Sequence, residues 1–126
     1  LPADAPQGPP WILGCRGAPL EAPENTLAGF EHALALGLDG VAYDVRACAS
    51  GDLVLMADAY VDRTTDLCGL LSQTTPRQLA SADAGVHFGR KFSGERVPYL
   101  SEALGCGASS AGAPRAQHLL FALEPQ

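Results

Sequence analysis

A strand, an arginine between two glycines and a helix start follow one another near the beginning of this chain. The apolar residues 11–13 predict a short strand, and Arg16 follows soon after. Asn25 or Thr26 then offers a side-chain oxygen that can cap a helix. Because α/β proteins build their sites from charged residues at the carboxyl ends of strands, this order predicts a site at Arg16.

The spacing of apolar residues predicts the helix itself. Leu27, Phe30 and Leu34 fall on one helical face, and Gly37 supplies a stop signal. His32 lies within this helix and is interpreted as an ordinary surface residue, because titration near neutral pH implies no role by itself.

Two further apolar runs predict an antiparallel hairpin. Residues 41–46 alternate in polarity, so the polar side chains of this run share one face. Only a short segment separates them from residues 53–56, whereas a parallel crossover needs a dozen or more. With residues 50–51 as the central pair of the turn, register counting places Asp44 opposite Ala57.

The rest of the chain predicts loops and short elements. Thr75-Pro76 is typical of a capped helix start, and residues 98–104 predict another helix. Residues 85–95 form a glycine-bearing loop with Arg90 and Lys91, which we expect to border the site. Residues 62–65 are interpreted as a polar loop, 105–114 as a linker or loop and 118–124 as a strand.

Composition excludes one class of partner and supports one domain. The chain has 8 basic and 14 acidic residues, a net charge of −6, and no basic stripe for a run of phosphates, so nucleic acid is excluded. No run approaches the roughly 18 to 20 apolar residues of a membrane span, and the chain is predicted to be soluble in an undecided compartment. We expect a proline-rich leader at residues 1–10 and a domain at 11–126.

The four cysteines, Cys15, Cys48, Cys68 and Cys106, lack the spacing of a zinc site. They are interpreted as free, partly buried thiols, with three disulfide pairings left open as the alternative.

Several ordered blocks of this sequence resemble the glycerophosphodiester phosphodiesterase family. They are Arg-Gly-Ala-Pro at 16–19, Pro-Glu-Asn-Thr-Leu at 23–27, Gly-Leu-Asp-Gly-Val at 37–41, Asp-Val-Arg at 44–46, Asp-Arg-Thr-Thr at 62–65 and Gly-Glu-Arg-Val-Pro-Tyr-Leu-Ser-Glu-Ala-Leu at 94–104. The resemblance implies a TIM-type (β/α)8 barrel that hydrolyses glycerophosphodiesters with a divalent metal. Such a barrel needs about 250 residues, so this chain would hold about the N-terminal half, with the hairpin at the site.

The resemblance assigns roles to positions that keep the family residue. Arg16 matches the arginine that binds phosphate, and Asp44 and Glu124 match two metal-ligating carboxylates. Glu24 and Asp58 are expected to be neighbours of this site. The implied metal, Mg²⁺ or Ca²⁺, would be weakly bound, because one ligand position is replaced.

Other family positions carry different residues. Cys15 and Ala57 stand where the family has catalytic histidines, Ala42 replaces a metal-ligating glutamate, and Gln126 replaces a phosphate-binding lysine. A cysteine-based hydrolase at Cys15 is disfavoured, since no motif places a histidine beside it to act as a base. His87, in a loop, is the strongest candidate for that role, although an ordinary loop residue is the favoured interpretation.

The sequence therefore predicts a truncated member of this family with little or no hydrolase activity. The alternatives are a residual metal-dependent phosphodiesterase that uses Arg16, Asp44 and Glu124, a binder of phosphodiesters or phosphate without chemistry, and a structural or interaction element. Because a half-barrel exposes sheet edges, self-association or a complementing half-barrel is expected.

Overall fold

A computed structural model describes residues 12–106 and 117–122 of the chain. Within these residues the chain forms strands and helices joined by long loops. They are β1 (Leu13–Cys15), α1 (Leu27–Ala35), β2 (Gly40–Ala47), β3 (Leu53–Leu55), α2 (Pro76–Ser81), α3 (Leu100–Cys106) and β4 (Gln117–Ala122). The predicted leader, residues 107–114 of the predicted linker, Glu124 and Gln126 lie outside the described residues.

The strands form one mixed sheet around β2. Ala42 is the register partner of Cys15 on β1 and of Leu119 on β4, and both pairings are parallel. Further along β2, Val45 pairs with Leu55 of β3 in the antiparallel sense. Each residue of β2 can pair with one strand on either side. Strand β4 therefore lies along one edge of β2. Along the other edge, β1 pairs with the first residues of β2 and β3 pairs with the last ones. This mixed α/β sheet carries the predicted hairpin and the predicted C-terminal strand.

The alternation predicted for β2 is confirmed. Val41, Tyr43 and Val45 pack with Phe30 of α1 in one buried cluster. The rings of Phe30 and Tyr43 lie 5.2 Å apart between their centroids. Because successive side chains of a strand point to opposite faces, Asp44 faces away from α1.

The segment between β3 and α3 builds a second core on that other face. Val54 and Met56 are buried there, whereas Leu55, between them, belongs to the first core. Leu71, which precedes α2, and Leu79 of α2 belong to the same second cluster. The hairpin thus joins two cores, and the polar residues of β2 lie near the second one.

Both predicted helix caps are confirmed. The Thr26 hydroxyl accepts a hydrogen bond from Gly29 N at 3.1 Å, which identifies Thr26 as the cap of α1. Thr75 forms a capping box with Gln78, and Pro76 occupies the first turn of α2.

The predicted hairpin register is wrong by one residue. Asp44 O accepts from Met56 N at 3.0 Å, so Met56, rather than Ala57, lies opposite Asp44. The loop has three residues instead of two: Cys48 N donates to Asp52 O and Gly51 N donates to Cys48 O. Gly51 has φ of +88°, the left-handed conformation that ends a three-residue hairpin loop.

The first strand extends further along the chain than predicted. It includes Leu13–Cys15, whereas the prediction ended at residue 13, because the pairing with β2 continues to Cys15 and Ala42. Parallel pairing, which local apolarity does not reveal, sets this boundary.

Asp83 fixes the conformation of the glycine-bearing loop at residues 85–95. Its carboxylate accepts from Gly85 N and Val86 N, both at 2.9 Å, and from Gly94 N at 2.8 Å. The loop contains one 3₁₀ turn, Arg90–Phe92. The backbone donors lower the pKa of Asp83 to about 2.

Loop closure by Asp83 predicts a dependence of stability on pH. Because the folded-state pKa lies below the ordinary value of about 3.9, the ionised carboxylate stabilises the fold above that value and loses its contribution as pH falls towards 2. We expect Asp83→Asn to lower the free energy of unfolding at pH 6, and the difference to shrink as pH falls from about 5 to 2. Urea unfolding of both proteins at several pH values measures this; a pH-independent difference would contradict it.

The turn after β1 predicts a strict requirement for glycine at position 14. A Cβ at Gly14 would lie 2.2 Å from the carbonyl oxygen of Gly17, a backbone atom that cannot move alone. We expect Gly14→Ala to destabilise the chain by about 3 kcal/mol or more. Gly89→Ala is the matched control, since a Cβ there meets open space. Equal melting temperatures for the two variants would disprove the close approach.

Candidate functional site

An ion pair joins the turn after β1 to the middle of β2. Arg16 Nε donates to Asp44 Oδ2 at 2.7 Å. The Asp44 side chain is only 9% exposed, whereas that of Arg16 is 40% exposed. The hydrogen-bonded charge of Asp44 raises the pKa of Arg16, although burial, the largest single influence, acts in the opposite direction. The predicted phosphate-binding arginine therefore has an internal carboxylate partner.

Asn25 completes the surroundings of Asp44. Its Nδ2 donates to the same Oδ2 atom at 3.1 Å, and its Oδ1 accepts from Asp44 N at 3.3 Å. Asn25 N also donates to Arg16 O at 3.0 Å. Both Arg16 and Asn25 have positive φ angles, 61° and 54°. Such conformations are costly in non-glycine residues, so the site loop is held by these contacts rather than by local preference.

A second arginine joins the predicted neighbours Glu24 and Asp58. Arg63 binds both carboxylate oxygens of Glu24, at 2.8 and 2.9 Å. It also binds Asp58 through contacts of 2.8 and 3.1 Å. Hydrogen bonds to Glu24 and Asp58 raise the pKa of Arg63, and the one from Arg63 lowers the pKa of Asp58. Sequence reasoning missed Arg63, although the Asp-Arg-Thr-Thr block was a signal for it.

The two pairs form one cluster. Arg16 Nη1 lies 4.0 Å from Glu24 Oε2, which links the Arg16–Asp44 pair to the Arg63–Glu24 pair. Three carboxylates face two guanidinium groups, so the cluster, Arg16, Glu24, Asp44, Asp58 and Arg63, carries a net negative charge. An anionic ligand would have to compete with carboxylates that are already hydrogen-bonded.

Three of the positions at which the resemblance implies other residues, Cys15, Ala42 and Ala57, lie at the same end of the sheet. Cys15, an exposed free thiol, is the register partner of Ala42, which is 5% exposed. Ala57 lines a small cavity together with Glu24 and Asn25. Cys15, Ala42 and Ala57 thus lie in the same region as the Arg16–Asp44 pair, but the predicted register, which placed Ala57 directly opposite Asp44, is wrong by one residue.

The residues around Asp44 do not fit the divalent metal that the resemblance implies. Asp44 Oδ2 accepts from both Arg16 and Asn25, and Ala42 offers no ligand atom. No group of three or more histidine, cysteine, aspartate or glutamate side chains suited to a metal occurs in the described part of the chain. Glu124, the remaining predicted ligand, lies outside that part.

The base of loop 85–95 lies near the cluster. Ala84 and Val97, on either side of the loop, line the small cavity that Glu24 and Ala57 also line. Partial desolvation is the main cause that lowers the pKa of His87 in this loop. His32 instead binds Glu21, with 2.7 Å between Nε2 and Oε2, in an exposed pair.

The Arg16–Asp44 pair predicts a stability difference between arginine substitutions. We expect Arg16→Met to lower the free energy of unfolding by about 1–2 kcal/mol, because it leaves a nearly buried carboxylate with Asn25 alone; the partial exposure of Arg16 limits the effect. Arg77→Met, on the exposed side of α2, should cost less than about 0.5 kcal/mol. Equal costs in denaturant titrations would contradict a structural role for the pair.

Comparisons with known proteins agree with the motif blocks. The profile of the glycerophosphoryl diester phosphodiesterase family matches residues 16–113. The glycerophosphodiester phosphodiesterase of Caldanaerobacter subterraneus is 43% identical over 91 residues, which are 72% of this chain and 37% of that relative. This chain thus spans well under half the length of that protein.

Solved structures of the family share the fold. Glycerophosphodiester phosphodiesterase from Agrobacterium tumefaciens matches with a TM-score of 0.82 and 34% identity, over 89% of this chain and 46% of its own. A phosphodiesterase from Oleispira antarctica, solved in complex with the product sn-glycerol-3-phosphate, matches with a TM-score of 0.78 and 31% identity, over 90% of this chain and 45% of its own. These neighbours are TIM barrels, and the described sheet corresponds to part of one. The chain belongs to the glycerophosphoryl diester phosphodiesterase family and spans less than half of the barrels that it matches.

Proposed function

We propose that this chain is a degenerate domain of its family, in which hydrolysis of glycerophosphodiesters to glycerol 3-phosphate and an alcohol is absent or strongly impaired. The observation that carries the proposal is the direct pairing of Arg16 with Asp44. The guanidinium group of Arg16 is hydrogen-bonded to the Asp44 carboxylate, which the resemblance assigns to a metal. The same contact engages Nε of the arginine that the resemblance assigns to phosphate.

Loss of proton transfer supports the same proposal. A general acid or base contributes roughly 10²- to 10⁴-fold to a rate, and the family positions for these groups hold Cys15 and Ala57. The Cys15 thiol has no base positioned beside it by a motif, and the Ala57 methyl group cannot transfer a proton, so neither residue replaces a general acid or base. Within the described residues, no hydrogen bond joins His87 to either of these positions.

Phosphate binding without chemistry is the second candidate, and charge disfavours it. Arg16 is 40% exposed and could contact a ligand. However, the Glu24 carboxylate lies 4.0 Å away and would repel a phosphate oxygen placed beside Arg16. A complementing half-barrel, from a longer polypeptide or a second copy, would be needed to add further cations.

Turnover of glycerophosphocholine tests the proposal. We expect no release of glycerol 3-phosphate above background by this chain, or by any longer polypeptide that contains it, in Mg²⁺, Ca²⁺ or EDTA. Asp44→Ala is the matched control, because a residual metal-dependent phosphodiesterase would lose its activity in this variant. Metal-dependent turnover that disappears in Asp44→Ala would overturn the proposal.

Ligand titration separates the remaining alternatives. We expect neither Ca²⁺ nor glycerol 3-phosphate at millimolar concentration to raise the melting temperature, since a ligand that binds the folded state must stabilise it. Stabilisation by glycerol 3-phosphate that is lost in Arg16→Gln would favour the binder. Stabilisation by Ca²⁺ that is lost in Asp44→Asn would favour the residual enzyme.

A further inference from the structure

The loop at residues 85–95 is preformed rather than loose. Asp83 holds both of its ends through backbone donors of Gly85, Val86 and Gly94. Ala84 N donates to Glu95 O at 2.7 Å, which closes the base of the loop. A binding surface carried by this loop would lose little conformational entropy when it meets a partner.

This loop presents apolar and aromatic side chains to solvent. Val86 is 44% exposed and Phe88 is 38% exposed. The rings of Phe88 and Phe92 pack edge to face, with 5.5 Å between centroids. The Lys91 ammonium group lies 5.2 Å from the centroid of the Phe92 ring. An aromatic pair thus forms a small platform with a cation directly on it.

The same loop concentrates positive charge on an acidic protein. Arg90 and Lys91 are exposed, and neither belongs to a salt bridge within residues 12–106. Arg96 follows directly, so three of the 8 basic residues of the chain fall within a short segment. Glu95, which accepts from Ala28 N, and the ionised Asp83 offset two of these three charges, so residues 83–96 keep a net charge of +1 on a chain whose net charge is −6.

We propose that loop 85–95 docks the protein on the surface of an anionic lipid bilayer. Val86 and Phe88 enter the head-group region, while Arg90 and Lys91 contact the negative head groups. Aromatic side chains beside lysine and arginine are the composition that favours the interface between water and lipid. The surface of an anionic bilayer offers negative charge and an apolar phase side by side, which matches exposed Val86 and Phe88 near exposed Arg90 and Lys91.

This proposal does not depend on the proposed loss of catalysis. Ala84 and Val97, at the base of the loop, line a cavity together with Glu24, so a docked loop would bring the candidate site close to the lipid surface. The described residues contain no helix with the length and apolarity to cross a bilayer.

Vesicle flotation at low ionic strength tests the proposal. We expect the protein to float with vesicles of phosphatidylcholine that contain a third of phosphatidylglycerol, to float less with phosphatidylcholine alone, and to be released by added salt. The double variant Arg90→Gln/Lys91→Gln should lower the partition coefficient about five-fold for each cation removed, the equivalent of about 1 kcal/mol. Phe88→Ser should lower it about ten-fold, because apolar burial is lost.

Two control variants distinguish docking by this loop from non-specific adsorption of the protein to vesicles. Arg77→Gln removes an exposed arginine on α2, and Leu36→Ser removes an apolar side chain that is 57% exposed beyond α1. Both should float like the parent chain, and all variants should show the parent's circular dichroism spectrum.

Three outcomes would overturn the proposal. The first is no flotation at millimolar anionic lipid, and the second is an equal loss of flotation in Arg77→Gln. The third is a partition coefficient that is unchanged in Phe88→Ser together with flotation that is abolished by soluble polyglutamate. That result would indicate an acidic polypeptide as the partner.

Discussion

The hydrogen-bonded ion pair between Arg16 and Asp44 is the contact on which the site end of the sheet depends. It joins the turn after β1 to the middle of β2, and Asn25 binds both members of the pair. Arg16 and Asn25 both have left-handed backbones, which cost of order 1 kcal/mol or more each. Such conformations persist only where surrounding contacts determine them, and Asp44 supplies the strongest of these contacts.

Arg63 pairs with two further carboxylates, as Arg16 does with Asp44. Arg63 donates to Glu24 through Nη1 and Nη2 and to Asp58 through Nε and Nη2, so each of these carboxylates has an arginine partner. The cluster nevertheless keeps one excess negative charge. A ligand that displaced an arginine from Glu24 or Asp44 would leave a carboxylate of low solvent exposure without its cation.

Local chemistry made much of this fold predictable, and non-local pairing accounts for what was missed. The caps at Thr26 and Thr75 follow from side-chain oxygens that act within a few residues, and the two faces of β2 follow from a period of two. The hairpin register failed because it depended on the conformation of one residue, Gly51, whose positive φ allows a third loop residue. The Arg63–Glu24 contact spans 39 positions, so no local pattern could place these side chains together.

The alanine at position 42, where the resemblance implies a glutamate, suggests a physical reason for the closed pair. With two carboxylates at positions 42 and 44, one guanidinium group would leave a negative charge unbalanced at a buried site, and a divalent cation would be the better counter-ion. With Ala42, a single carboxylate remains, and Arg16 neutralises it through a short hydrogen bond. A non-ligating residue at position 42, as the resemblance implies, would thus favour the contact that engages Nε of Arg16. The residue at position 42 and the partner of Arg16 would then depend on the same charge balance.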